Sequence, residues 1–279
     1  EYAYQDWTLA QLAKKMGHKE DYDYFLARSS NYKNVFDKKI GWMRPKGVEG
    51  TWKSEYDPYQ AEHGFIESNG AQSTWFVPHD LVGLSNLMGG KDAAIDKLNK
   101  QFKTAETLGF TAGTSHAVEL HPEYSRIPIN FGNQPSIQTA FIFSQLNRPD
   151  LTQFWSRKVT KTVFGGLSPS TGYNGDEDQG LMGSLAVLMK IGLFQMNGGT
   201  EANPEYQIGS PIFDEVNIKL NNNFYNGDLF TIKANNNSNA NFYVSDAAFN
   251  GVSIKAYSLR HEDIVKGGEL ILEMTNTIK

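Results

Sequence analysis

The chain has 279 residues, no cysteine and a formal net charge of −5. That length supports a sizeable core. The missing thiols exclude disulfides, thiolate metal sites and cysteine nucleophiles, and an acidic balance without a basic run argues against nucleic acid as a partner. Aromatic residues make up 13% of the chain and charged ones 20%, a globular composition. No apolar stretch approaches the ~20 residues of a bilayer span, so no membrane partner is expected.

In chain order, the spacing predicts a helix over residues 1–16, with Trp7, Leu9, Leu12, Ala13 and Met16 on one stripe and Gly17 as its stop. A second helix is predicted over 19–31, where Glu20, Asp21 and Asp23 suit the positive end of the helix dipole. Residues 35–70 break into glycine, proline and aromatic residues, a long stretch for a loop without function. Its tryptophans, Trp42 and Trp52, can stack on a flat sugar ring or plug the core from a loop, and both readings stay open. Further helices are predicted over 71–77, 91–106, 136–146, 151–162 and 179–191. In the 91–106 helix, Ala94, Ile95, Leu98 and Phe102 form the apolar stripe. Helices joined by alternately short and long loops suggest helical hairpins stacked side by side.

Near residue 200 the period changes. Val216, Ile218 and Leu220, then Leu229 and Ile232, then Val252, Ile254 and Ala256, and finally Leu270, Ile271, Leu272 and Met274 alternate with other residues. Turn tracts at Asn221–Asn223, Asn235–Asn237 and Lys266–Gly268 separate them. Period-two runs with Asn and Gly turns predict a small antiparallel β domain over 201–279 behind a helical portion over 1–200. The expected fold class is mainly α with a β region.

The chemistry concentrates in Gly175-Asp176-Glu177-Asp178-Gln179-Gly180. In an extended backbone Asp176 and Asp178 project to one side and Glu177 to the other. Asp178 also stands where an N-cap of the 179–191 helix is expected, and a helix N-terminus tolerates nearby carboxylates. Two crowded acids perturb each other's protonation, which suits proton transfer. The plain alternative is an acidic surface turn with one capping Asp.

Three stretches together carry a resemblance. One is Phe65-Ile66-Glu67-Ser68-Asn69 running to Gln72-Ser73-Thr74-Trp75-Phe76-Val77-Pro78-His79-Asp80; the second is Gly132-Asn133-Gln134-Pro135; the third is Gly175-Asp176-Glu177-Asp178-Gln179-Gly180-Leu181-Met182-Gly183. In that order they resemble the calcium-dependent exo-α-mannosidases of glycoside hydrolase family 92. The resemblance implies part of an (α/α)6 toroid followed by a β element. It further implies that the chain is the C-terminal portion of a longer, secreted or periplasmic enzyme whose N-terminal part is missing here. It makes Glu67 the general acid and Asp176 and Asp178 the pair that holds and deprotonates water. It implies a calcium ion as cofactor, with Asn133 and Gln134 as ligands and Asp178 assisting through water, and a mannose-containing glycan as substrate. The family often carries Glu before the proline, and its α-1,2-cleaving members tend to show His-Glu there. Asn133-Gln134 departs from that pattern, removes a charge from the metal site and leaves the linkage open. His79-Asp80 reads as a structural turn, since no G-x-S-x-G serine motif accompanies it. Two other readings remain: a non-catalytic carbohydrate-binding or architectural segment, and a toroid enzyme acting on a different sugar.

Overall fold

In the computed structural model, the described residues are 1–112, 126–168, 171–172, 175, 178–255 and 257–278. Contacts divide the chain into two units, Glu1–Thr139 with Thr162–Met182, and Ala140–Lys161 with Gly183–Lys279. The expected division after residue 200 does not coincide with these units. Residues 140–161 and 183–200 group with the strands.

The first unit begins with α1 (Tyr2–Met16) and α2 (Lys19–Arg28). Gly17 ends α1 with φ 77°, and the following His18 N–H closes onto the Ala13 carbonyl at 2.9 Å. Only glycine takes that left-handed turn without a Cβ penalty. The buried face of α1 is Ala3, Asp6, Trp7, Ala10 and Ala13. This corrects the predicted stripe: Leu9, Leu12 and Met16 lie on the exposed side. Asp6 turns inward because Arg28 of α2 binds it, Nε to Oδ1 at 3.1 Å, so an ion pair joins the two helices. α2 itself buries no residue.

A 3-10 turn (Asn31–Val35) leads into a short antiparallel pair, β1 (Phe36–Asp37) and β2 (Trp42–Met43). Trp42 is buried, with its ring edge-on to Tyr59 and the Lys97 ammonium 3.3 Å from its centroid. Trp42 therefore plugs the core. Trp52 stays half-exposed under Lys46, whose Nζ lies 4.1 Å from the ring centroid.

The predicted 71–77 helix is only one turn, α3 (Gly70–Ser73). The chain reverses at Pro78 and starts α4 (Leu81–Leu87), which the sequence reading missed. Asp80 is its N-cap, accepting from the Gly83 N–H at 2.8 Å, and it also accepts from the Tyr32 hydroxyl at 2.7 Å. The His79 ring sits among Tyr4, Trp7 and Tyr32, with Nε2 3.0 Å from the Ser29 carbonyl. Burial lowers its pKa and outweighs that hydrogen bond. Then comes α5 (Lys91–Thr107), which buries Ala94, Ile95, Leu98 and Phe102 as its periodicity predicts.

Three helices follow: α6 (Thr139–Gln145), α7 (Pro149–Thr162) and α8 (Leu181–Ile191). The second unit then builds two sheets. β3 (Leu193–Phe194), β4 (Glu205–Ile208) and β9 (Ser258–Arg260) form one, in the order β3-β4-β9. The other contains β5 (Glu215–Lys219), β6 (Leu229–Asn235), β7 (Tyr243–Phe249), β8 (Val252–Ser253) and β10 (Gly268–Thr275). Its order is β5-β6-β10-β7-β8. A short α9 (His261–Ile264) precedes β10.

The larger sheet is not wholly antiparallel, as had been expected. β10 runs parallel to β6, with Leu270 opposite Ile232, and antiparallel to β7, with Leu272 opposite Ala247. β6 and β7 run in opposite directions without pairing, and the last strand fills the slot between them. A strand inserted there must be parallel to one neighbour. Phe230, Ile232, Ala234, Val244, Ala247, Leu270, Leu272 and Met274 supply the buried face. Leu229 is exposed, because the inward set of β6 starts one residue later.

Candidate active site

Glu67 lies in the turn before α3, exposed, while Ser68, Asn69 and Gly70 behind it are buried. Its φ of 52° is left-handed, a conformation that non-glycine residues hold only when their surroundings fix it. Those surroundings are polar. Asn69 caps α3 by accepting from the Gln72 N–H at 3.0 Å, and its Nδ2 donates to the Ile127 carbonyl at 3.0 Å. Gln72 Nε2 donates to the same carbonyl at 2.8 Å. Gln101 of α5 accepts from the Trp75 indole N–H at 2.6 Å and donates to the Ala71 and Pro128 carbonyls at 3.0 and 3.2 Å. The conspicuous sequence around Glu67 thus ties that turn to the segment after Arg126.

That segment folds on Asn130. Its side-chain oxygen accepts from the Gly132 N–H at 2.9 Å, and its own N–H donates to the Ser136 hydroxyl at 3.0 Å. A 3-10 turn, Gln134–Ser136, follows with Asn133 as N-cap: Asn133 Oδ1 accepts from the Gln134 N–H at 2.9 Å. Asn133 is only 5% exposed, and its Nδ2 donates to the Glu67 carbonyl at 2.7 Å. Gln134 reaches the other way, its Nε2 donating to Asp178 Oδ2.

The third loop is pressed onto the second. A Cβ at Gly175 would lie 2.3 Å from Gly132 Cα and 2.4 Å from its carbonyl oxygen, so only glycine allows this backbone approach. Asp178 is exposed, and both it and Gln179 have positive φ, 51° and 59°. α8 begins at Leu181, two residues later than predicted. Asp178 is therefore not its side-chain N-cap: its carbonyl accepts from the Leu181 N–H at 3.2 Å, and its carboxylate turns to Gln134. Asp176 lies outside the described residues, as does Glu177.

The structure brings together Glu67, Asn133, Gln134 and Asp178 in one hydrogen-bonded run across three loops. Sequence reasoning missed the residues that hold it, Asn69, Gln72, Gln101 and Asn130. The available signal was, for Gln72 and Gln101, an amide within a helix, which is buried only with partners, and, for Asn69 and Asn130, an Asn beside a turn.

A metal was expected here. Among the described residues no group of three or more His, Asp or Glu side chains could hold one. The Gln134 amide adjoins the Asp178 carboxylate but turns its Nε2 donor toward it, so a hard cation at this place needs the amide turned to present its oxygen. Asn133 fits less well, since both ends of its amide are engaged within the protein. A separate cleft of about 420 Å3 is lined by Tyr59, Lys97, Lys100 and Arg126, among others, and by none of the predicted site residues. Two of its cations are already partnered, Lys97 with the Gly41 carbonyl and Arg126 with Asp57 at 2.8 Å.

The class of the protein comes from comparison with known proteins. The chain matches the glycosyl hydrolase family 92 catalytic domain over residues 1–276 and belongs to that family. It is similar to a family 92 α-mannosidase of Bacteroides thetaiotaomicron, at 28% identity and TM-score 0.83, over 99% of this chain and 34% of that one. The same enzyme has been solved in complex with mannoimidazole. A family 92 inverting mannosidase of that bacterium gives 29% identity and TM-score 0.82, over 99% and 37% of the two chains. A curated relative, an uncharacterized secreted glycosidase of Arthroderma benhamiae, is 29% identical over 98% of this chain and 34% of its own length. The chain thus spans about a third of the relatives it matches. Among the described residues no helix is long and apolar enough to cross a membrane.

Proposed function

We propose that the full-length protein removes terminal α-mannose from glycans with inversion, and that this chain is the C-terminal part of its (α/α)6 toroid. The observation that carries the reading is the run of hydrogen bonds joining the Glu67 turn, through Asn133 and Gln134, to Asp178. Glu67 is the general acid. It gives its proton to the glycosidic oxygen as the bond from that oxygen to the anomeric carbon breaks. Asp178, with Asp176 two residues before it, is the base. It takes a proton from a water that attacks the anomeric carbon from the opposite face, so β-mannose is the first product. In inverting enzymes the two carboxyls stand roughly 6.5–9.5 Å apart to admit that water.

Calcium is the proposed cofactor: the Gln134 side-chain oxygen, with its amide turned toward the ion, and Asp178 through water would hold it, and it would grip sugar hydroxyls and favour ring distortion. Asn133 holds the loops in register. Gln134 in place of an acid leaves the linkage, α-1,2 or another, to be set by experiment. The α-mannosidase neighbours support the substrate class, and the secreted relative supports an extracytoplasmic location.

The test is hydrolysis of an aryl α-mannoside by the full-length protein, with the anomer of the fresh product followed by NMR, in the presence and absence of a chelator. β-Mannose as first product and loss of activity with chelator are expected. A folded enzyme inactive on every α-mannoside would overturn the assignment in favour of a binding or architectural role or another sugar. Glu67→Gln should lower turnover of mannosides with poor leaving groups by about 10²-fold or more, and of activated aryl mannosides much less.

A further inference from the structure

We infer that Asn133 is the positioning residue that aims Glu67, acting through the Glu67 main-chain carbonyl. The inference rests on the reading of Glu67 as the general acid.

Glu67 is exposed, has a left-handed φ of 52° and follows an almost fully exposed Ile66. No described side chain is recorded as bonding its carboxylate. Its aim is therefore set by its backbone. The bond from Asn133 Nδ2 to the Glu67 carbonyl, 2.7 Å, fixes the peptide that follows Glu67 and with it the direction of the Cα–Cβ bond. The Asn133 side chain is a firm support because it is buried and held at both ends: its Oδ1 simultaneously accepts from the Gln134 N–H.

One short side chain must offer an acceptor to its own helical turn and a donor to the Glu67 turn. Asn does both at this length. Asp offers two acceptors and would set an oxygen against the Glu67 carbonyl. Ser can cap but falls short of Glu67. Since Gln134 continues the run to Asp178, the dipeptide Asn133-Gln134 ties the backbone of the acid to the carboxylate of the base. General-acid catalysis depends steeply on such placement.

The test uses the full-length enzyme and Asn133→Asp, which keeps the cap and removes the donor. Expected is a fall in kcat of about 10–100-fold on mannosides with unactivated alcohol leaving groups, with KM within about 3-fold of wild type. Activated aryl mannosides should lose less than about 3-fold, because they need little protonation. The calcium concentration for half-maximal activity should not move. An equal loss on both substrate types overturns the inference and makes Asn133 merely structural. A shifted calcium requirement with an unchanged leaving-group dependence overturns it by assigning Asn133 to the metal. If Asn133→Asp does not fold, Asn133→Ser carries the same comparison. Glu67→Gln, run alongside, separates the two claims. No leaving-group bias in that variant sinks the acid assignment itself, whereas a bias there and none in the Asn133 variants sinks only the positioning claim.

Discussion

The larger sheet of the second unit and the loops around Glu67 are held in opposite ways. In the sheet, Phe230, Ile232, Leu270 and Leu272 are buried to within 1% and pack against other apolar side chains. Around Glu67, the buried groups are Asn69, Gln72, Gln101, Asn130 and Asn133, each hydrogen-bonded. Apolar burial is strong but non-directional. It sets a register and tolerates substitution of similar volume. Directional bonds fix a backbone in an unfavourable φ, as at Glu67 and Asp178, and leave the side chain at the surface. The sheet suits support; the bonded loops suit a site whose acids must stay in place while exposed.

Three changes would break or sharpen this contrast. The largest expected effect is Phe230→Ala, which empties the centre of the sheet core and should lower stability by about 3–5 kcal/mol in denaturant titration. The folded fraction should keep its turnover; a loss of turnover at full folding would show that the sheet also tunes the acids. Next is Gln101→Leu, close in volume, which strands the Trp75 indole N–H and the Ala71 and Pro128 carbonyls. At about 1–3 kcal/mol for an orphaned group it should destabilise substantially. Unlike Phe230→Ala, it should lower turnover as well, since it loosens the turn that carries Glu67. The smallest effect concerns pH. His79 has a lowered pKa because it is buried. As pH falls below the unfolded value of about 6.5, the unfolded chain takes up that proton first, and stability declines toward the folded pKa. The drop in Tm from pH 7.5 to pH 5.5 should be smaller in His79→Phe; an unchanged drop would assign it to other groups.

How much of this was legible differs between the same two regions. The helix over 91–106 and the last strand were readable because a regular apolar period reports one buried face. Their neighbours show where that stops. β7 carries Ser245 and Asp246 in mid-strand, so its alternation is broken, and pairing with β10 on one side and β8 on the other makes it a strand. α4 begins at an Asp that looked like the end of a turn rather than the start of a helix. Leu9, Leu12 and Met16 were placed on a buried stripe because they are apolar, yet the Asp6–Arg28 pair turns α1 the other way.

The sequence by itself determined the two kinds of secondary structure, because apolar period suffices for those, and its motifs carry the resemblance that made Glu67, Asp176 and Asp178 the candidate acids. Only the tertiary structure decided that β10 enters its sheet parallel to β6, that Asp178 faces Gln134 instead of capping α8, and that Asn133 grips the Glu67 backbone. Those outcomes join groups 38 to 66 positions apart in the chain. A local pattern records which face of an element is apolar, not which distant carbonyl will meet an amide once the chain has closed.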